Sequence, residues 1–167
     1  MNNKLIIAVL SLAVAISSCT APRYLPKSDE IDINQYGSYI NIKRTAGTNI
    51  KGELIAVDVQ NIFVLTKIDH IRQTVIIPVR EIKRFELRYA KPKHYGWTIP
   101  VYTLTTIGHS YGMLLTAPIN LIVTISVAAS GATAFKYSDK EMTYEKLKMF
   151  ARYPQGIPSS IEISIIK

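Results

Sequence analysis

Between Trp97 and Phe135 the chain runs for 39 residues without an Asp, Glu, Lys or Arg. This run restricts the fold more than any other feature. Its apolar side chains need cover from protein or lipid, and its length is about twice the roughly 20 residues a helix needs to cross a bilayer core. Gly108-His109-Ser110-Tyr111-Gly112 lies near its centre, with Pro118 a little further on. Glycine and proline punctuate helices, so the run is expected to form a helical hairpin of residues 97–107 and 113–135. Small residues gather in the second arm, and small side chains let helices approach closely in lipid. Ala128 and Gly131 are therefore the expected packing positions. Trp97, Tyr102 and Tyr137 stand toward the ends, where aromatic belts form at membrane interfaces. The alternative is a helical pair buried in a soluble core, but 167 residues offer little protein to bury it against.

The start of the chain has a second apolar run. Lys4 precedes residues 5–16, twelve uncharged apolar or small residues. That is the length of an export-signal core and too short to span a bilayer. Ile16-Ser17-Ser18-Cys19 follows, and Cys19 is the one cysteine of the chain. An aliphatic residue, two small residues and a cysteine resemble the lipobox of bacterial lipoproteins. The resemblance implies cleavage between Ser18 and Cys19, a diacylglycerol on the Cys19 sulfur and an acyl chain on the new amino group. Two or more acyl chains hold a protein on a membrane stably. Thr20 stands where an inner-membrane retention signal would place aspartate, so the periplasmic face of an outer membrane is favoured. Residues 19–30, with Pro22 and Pro26, are expected to tether the domain off the bilayer.

Residues 31–95 carry a β pattern. Runs at 38–44, 50–59, 61–67, 72–79 and 81–88 are separated by turn residues: Gly47-Thr48-Asn49, the stretch from Asp58 to Asn61, and Asp69-His70. Gly52 is placed where a strand can bend or bulge. Ile40, Ile42, Gly47, Gly52, Leu54, Asp58, Asn61 and Leu65, closed by Pro78-Val79-Arg80-Glu81-Ile82, resemble small SH3-like and Sm-like barrels. The likeness covers roughly residues 38–88 and implies a curled meander. Sm proteins carry an Arg-Gly pair near their RNA site, whereas Arg80 here precedes Glu81, so nucleic-acid binding is not implied.

The formal charge is +8, which favours phosphate-bearing partners. Arg80, Lys83, Arg84, Arg88, Lys91 and Lys93 crowd the approach to the apolar run and are expected to meet anionic lipid head groups. With Lys136 and Lys140 they put positive charge on the flanks of the hairpin and none at its tip. That opposes the positive-inside rule for a full crossing from outside. A hairpin entering one leaflet resolves the conflict, as does a single crossing by residues 111–135; the first is preferred.

Residues 138–141 are expected to start a short amphipathic helix over 142–153, with Leu147, Phe150 and Ala151 on one face. Ile161, Ile163 and Ile165 then alternate as a C-terminal strand. The expected fold is α+β: a small SH3-like β-barrel over residues 31–95, an apolar helical hairpin over 96–136, then the amphipathic helix and C-terminal strand within 137–167.

No catalytic or metal-binding set emerges. His70, His94 and His109 lie far apart without carboxylates at ligand spacing. The chain is expected to be a non-catalytic envelope adaptor or scaffold with lipid and an unidentified protein as partners. An accessory subunit of a membrane transport or assembly complex and a hydrolase of unfamiliar type are the alternatives. No cofactor is expected beyond the acyl chains on Cys19.

Overall fold

A computed structural model of the chain describes residues 21–93, 95–106 and 112–166. They fall into two compact units, one within Pro92–Ala134 and one formed by Pro22–Lys91 with the segment from Phe135 onward. The fold is α+β, with one six-stranded antiparallel sheet.

The sheet unit contains β1 (Tyr39–Arg44), β2 (Ile50–Val57), β3 (Asn61–Ile68), β4 (Ile71–Pro78), β5 (Ile82–Arg88) and β6 (Lys136–Ser138). Their order is β4-β3-β2-β1-β5-β6, so β4 and β6 are the edges. Alternation decides which side faces the core. Ile40 and Ile42 of β1 stand opposite Leu87 and Phe85 of β5, and all four are nearly fully buried. Leu54 and Val64 extend this layer across β2 and β3. Burying a side chain of this size contributes roughly 2 kcal/mol. Asp69 and His70 link β3 to β4 with positive φ at both positions (48° and 68°), the backbone of a two-residue hairpin turn.

The sheet carries two bulges. At β2 the register shifts between Leu54 and Ala56, and the freed carbonyls are taken from the C-terminal side: Arg152 N–H donates to Leu54 O at 3.0 Å and Tyr153 N–H to Ile55 O at 2.9 Å. Gly52, expected to mark such a bulge, serves instead as a point of close approach. A Cβ on it would lie 2.1 Å from the Leu65 carbonyl oxygen. The second shift falls between Lys43 and Arg44, which oppose Arg84 and Ile82 and leave Lys83 without a cross-strand partner on β1.

The C-terminal region departs from expectation. The segment at 138–141 does not begin the helix. Ser138 ends β6, and its N–H and hydroxyl donate to the Glu141 carboxylate at 2.8 and 2.9 Å. The amphipathic helix is a single turn at Tyr144–Leu147 continued by a 3-10 turn at Lys148–Phe150, and Leu147, Phe150 and Ala151 pack on the main core as their spacing implied. Residues 161–166 form no strand. Ile163–Ile165 is a 3-10 turn, and Ile161 and Ile166 pack with Ile55, Ala56 and Leu65 in a second, smaller core. The edge position beside β5 is taken by β6, and an apolar patch on the outer side of β2 and β3 needs cover, so the tail crosses the sheet face.

The other unit holds α1 (Thr98–Thr105) and α2 (Met113–Thr133), which pack against each other. The break expected at 108–111 lies outside the described residues. On α2, Thr124, Ala128 and Gly131 form a buried stripe at helical spacing, while Ile119, Ile122, Val123, Ile125 and Val127 are exposed.

Candidate functional site

Ser18 and Cys19 lie outside the described residues. The tether does not, and it is docked rather than free. Leu25 is 1% exposed, and the Lys91 N–H donates to the Pro26 carbonyl at 2.8 Å. The Pro26 bond ties this segment to the sheet unit, with Tyr24 next to the buried leucine in sequence. The Tyr24 and Tyr36 rings pack at a tilt of 50° with their centroids 5.9 Å apart.

Residues opposite each other in an antiparallel ladder point to the same side. The registers therefore place Tyr39, Asn41 and Lys43 of β1 on one face with Lys51 and Glu53 of β2, Leu65 and Lys67 of β3, Arg72 and Thr74 of β4, Arg84, Glu86 and Arg88 of β5, and Lys136 of β6. Seven of these side chains are cationic and two are acidic. The tail covers the apolar end of this face at Leu65 and Ile55; the basic end stays open.

Where the two ends meet, a cleft of about 280 Å³ opens. Tyr24, Tyr36 and Tyr39 line it together with Lys51, Lys67 and Arg72, and Gly52, Glu53, Leu65 and Thr66 complete it. Glu53 is engaged elsewhere. It receives a two-pronged hydrogen bond from Arg152 and a third from the Gly37 N–H at 2.8 Å. Arg152 also lies over the Tyr36 ring, 5.4 Å from its centroid. Burial, followed by the Glu53 charge, pushes the Tyr24 phenol well above its ordinary range. Burial also raises Tyr39, opposed by the positive charge of Arg88. Both phenols therefore stay neutral hydrogen-bonding groups at physiological pH. The Tyr24 hydroxyl is enclosed and has no hydrogen-bond partner among the described residues. Lys51, Lys67 and Arg72 are exposed and form no ion pair among the described residues. The cleft thus sets an aromatic wall beside cations without an ion-pair partner among the described residues, an arrangement suited to an anion with some apolar or sugar character.

The basic run near the apolar stretch is not one patch. Arg84 and Arg88 lie on the open face, and Arg84 reaches Asp139 at 3.4 Å. Lys83 sits in the bulge. Arg80 is on the turn after β4, where it lines a separate recess of about 430 Å³ with Val59, Gln60, Asn61, Pro78 and Val79. Lys91 ends the first segment of the sheet unit, and Lys93 belongs to the helical unit, its N–H donating to Gly131 O at 3.1 Å. Strand alternation and the bulge disperse residues that are close in sequence. The cleft was not legible in the sequence, because its parts come from the tether, the segment before β1 and four strands. The clustering of Tyr24, Tyr36 and Tyr39 was the available signal.

Asp58 organises the turn beside the recess. Its Oδ1 accepts the Gln60 and Asn61 N–H groups at 2.7 and 2.5 Å. Slight burial opposes ionisation, but these two backbone donors, helped by the Asn61 side chain and Lys148, outweigh it and lower the Asp58 carboxyl below its usual range. His70 occupies the β3–β4 turn as expected, and no cluster of potential metal ligands exists among the described residues.

Ala128 and Gly131 are both buried. A Cβ on Gly131 would lie 2.6 Å from a Tyr95 ring carbon and 2.7 Å from the Lys93 carbonyl oxygen, so the smallness of Gly131 is used within its own unit.

No protein-family model matches the chain, no curated protein matches its sequence and no solved structure matches its fold.

Proposed function

We propose that the chain is a non-catalytic, lipid-anchored component of a bacterial cell envelope that seats a helical hairpin in a membrane and offers its sheet domain to a protein partner. The observation that carries this reading is the polarity of the helical unit, which is inverted for a protein in water. The window from Thr116 to Thr133 is long and apolar enough to cross a membrane, with a mean hydropathy of 1.3 and only 17% of it buried. Its large aliphatic side chains face outward, and its buried stripe consists of small residues and a threonine. An exposed apolar surface of this extent marks a membrane or a partner, and small residues are what helix contacts in lipid use.

The threonines add support. All seven between residues 98 and 133 donate their hydroxyls to carbonyls of their own segment, as Thr124 does to Asn120 O at 2.7 Å and Thr103 to Ile99 O at 2.7 Å. A hydroxyl left unpaired in hydrocarbon is costly, and back-bonding removes that cost. For the sheet unit, the order β4-β3-β2-β1-β5, in which the fifth strand returns to the first, supports the reading as a small SH3-like barrel extended by β6.

The test is to export residues 20–167 behind a cleavable leader without a cysteine and to wash the envelope with alkaline carbonate. The chain is expected to stay with the membrane through its helices. Quantitative release into the wash sinks the membrane-seated reading.

The alternative, an accessory subunit of a larger membrane complex, draws on the same exposed face. Photo-crosslinkers at Ile122 and Val123 distinguish the two, capturing lipid in the first and a defined protein in the second.

A further inference from the structure

We propose that the cleft walled by Tyr24, Tyr36 and Tyr39 and edged by Lys51, Lys67 and Arg72 docks the phosphate of an anionic membrane lipid. The proposal deepens the reading above and rests on the anchor at Cys19. Three observations point to it.

The first is reach. Leu25 is nearly fully buried next to Pro26, whose carbonyl accepts the Lys91 N–H of the sheet unit, and six residue steps separate Leu25 from Cys19. Even fully extended, that backbone covers at most about 20 Å. Tyr24, a wall of the cleft, is one step nearer to the anchor. An acylated Cys19 therefore keeps this cleft within about 20 Å of the bilayer surface.

The second is charge. Lys51, Lys67 and Arg72 rise from β2, β3 and β4 onto the face that also carries Lys43, Arg84, Arg88 and Lys136. The carboxylate at the cleft, Glu53, is bound by Arg152 and the Gly37 N–H, so it does not neutralise the three cations.

The third is the wall itself. Tyrosine is an interfacial side chain, with an apolar ring and a hydroxyl that bonds phosphate or glycerol oxygens. A free soluble phosphate shares the chemistry but not the reach argument, so the lipid is the occupant assigned.

The experiment uses the full acylated chain carrying Thr66→Cys, labelled with a fluorophore, in phosphatidylcholine vesicles with and without phosphatidylglycerol. A trace of lipid with a nitroxide head group is the quencher. Quenching is expected to be strong in the anionic vesicles and to fall to the neutral-vesicle level in the Lys51→Glu/Lys67→Glu/Arg72→Glu variant. A matched variant, Lys83→Glu/Lys140→Glu/Lys146→Glu, is expected to keep it. Each cation near an anionic surface is worth about five-fold, so Arg72→Gln alone lowers docking by about that factor and serves if the triple variant fails to fold. Equal quenching in both vesicles, or equal loss in the matched variant, overturns the proposal. Soluble glycerol phosphate that shifts the label in neutral vesicles also overturns it, in favour of a free phosphate ligand. The intact mass of the same sample reports the anchor separately. An acylated chain with an unresponsive cleft defeats this proposal alone, and an unmodified Cys19 defeats both readings.

Discussion

Arg152 grips Glu53 with two parallel hydrogen bonds, Nε to Oε1 and Nη2 to Oε2, each 2.7 Å, across 99 residues of sequence. The pair is largely buried, with side-chain exposures of 15% and 6%. It pins the C-terminal segment to β2 at the bulge, where Arg152 and Tyr153 also bond the backbone. Removing one partner leaves the other charge buried, so Arg152→Met is expected to cost about 3 kcal/mol. Glu53→Met is expected to cost more, because the Gly37 N–H loses its acceptor as well. In urea unfolding of the detergent-solubilised chain, the double variant should be less destabilised than the sum of the singles. Strict additivity would show that the fork does not couple the two segments.

The docked tether gives a second expectation. Leu25→Ala removes a fully enclosed side chain, for which a cost of about 3 kcal/mol is typical. The local result is more telling. Arg23 and Lys27 flank the site and are exposed, so trypsin should cut there much faster in the variant than in the parent. Unchanged cleavage would mean that the leucine does not hold the segment down.

Gly52 tests the close approach of β2 to β3. With a Cβ 2.1 Å from the Leu65 carbonyl oxygen, Gly52→Ala must part the two strands, and the variant is expected to lose its cooperative transition. Gly96→Ala is the control, since nothing lies within 4 Å of its added carbon. Comparable melting of the two variants would refute the contact.

Asp58 supplies a pH dependence. Its carboxyl sits below the ordinary carboxylate value in the folded chain. Its contribution is therefore complete above about pH 4 and disappears as pH falls through the lower folded value. Asp58→Ala is expected to cost about 1 kcal/mol at neutral pH. Its stability curve should converge on that of the parent in acid. A gap that stays constant down to the lowest pH tested would exclude the carboxylate as its source.

Much of the sheet was legible from the sequence because one side of each strand is apolar. Ile40 with Ile42, and Ile82, Phe85 and Leu87, announce themselves by spacing. Lys136–Ser138 was missed because three residues carry no period. Ile161, Ile163 and Ile165 carry a convincing one, yet the same alternation suits a chain that crosses a sheet face and seats Ile161 and Ile166. The basic run is dispersed for a related reason: proximity along the chain survives folding only where alternation permits, and Lys83 in its bulge breaks the pattern. The tyrosine cleft was hidden because Tyr24 comes from a stretch whose prolines suggested slack, and only the burial of Leu25 reveals that there is none.

That missing slack bears on how an acylated chain would meet other molecules. If Cys19 carries the proposed acyl chains, a body leashed so tightly would not sample the depth of the periplasm. Its search for a binding partner would then become planar, confined to lateral diffusion, and an approaching molecule would have to come to the bilayer surface or already reside there.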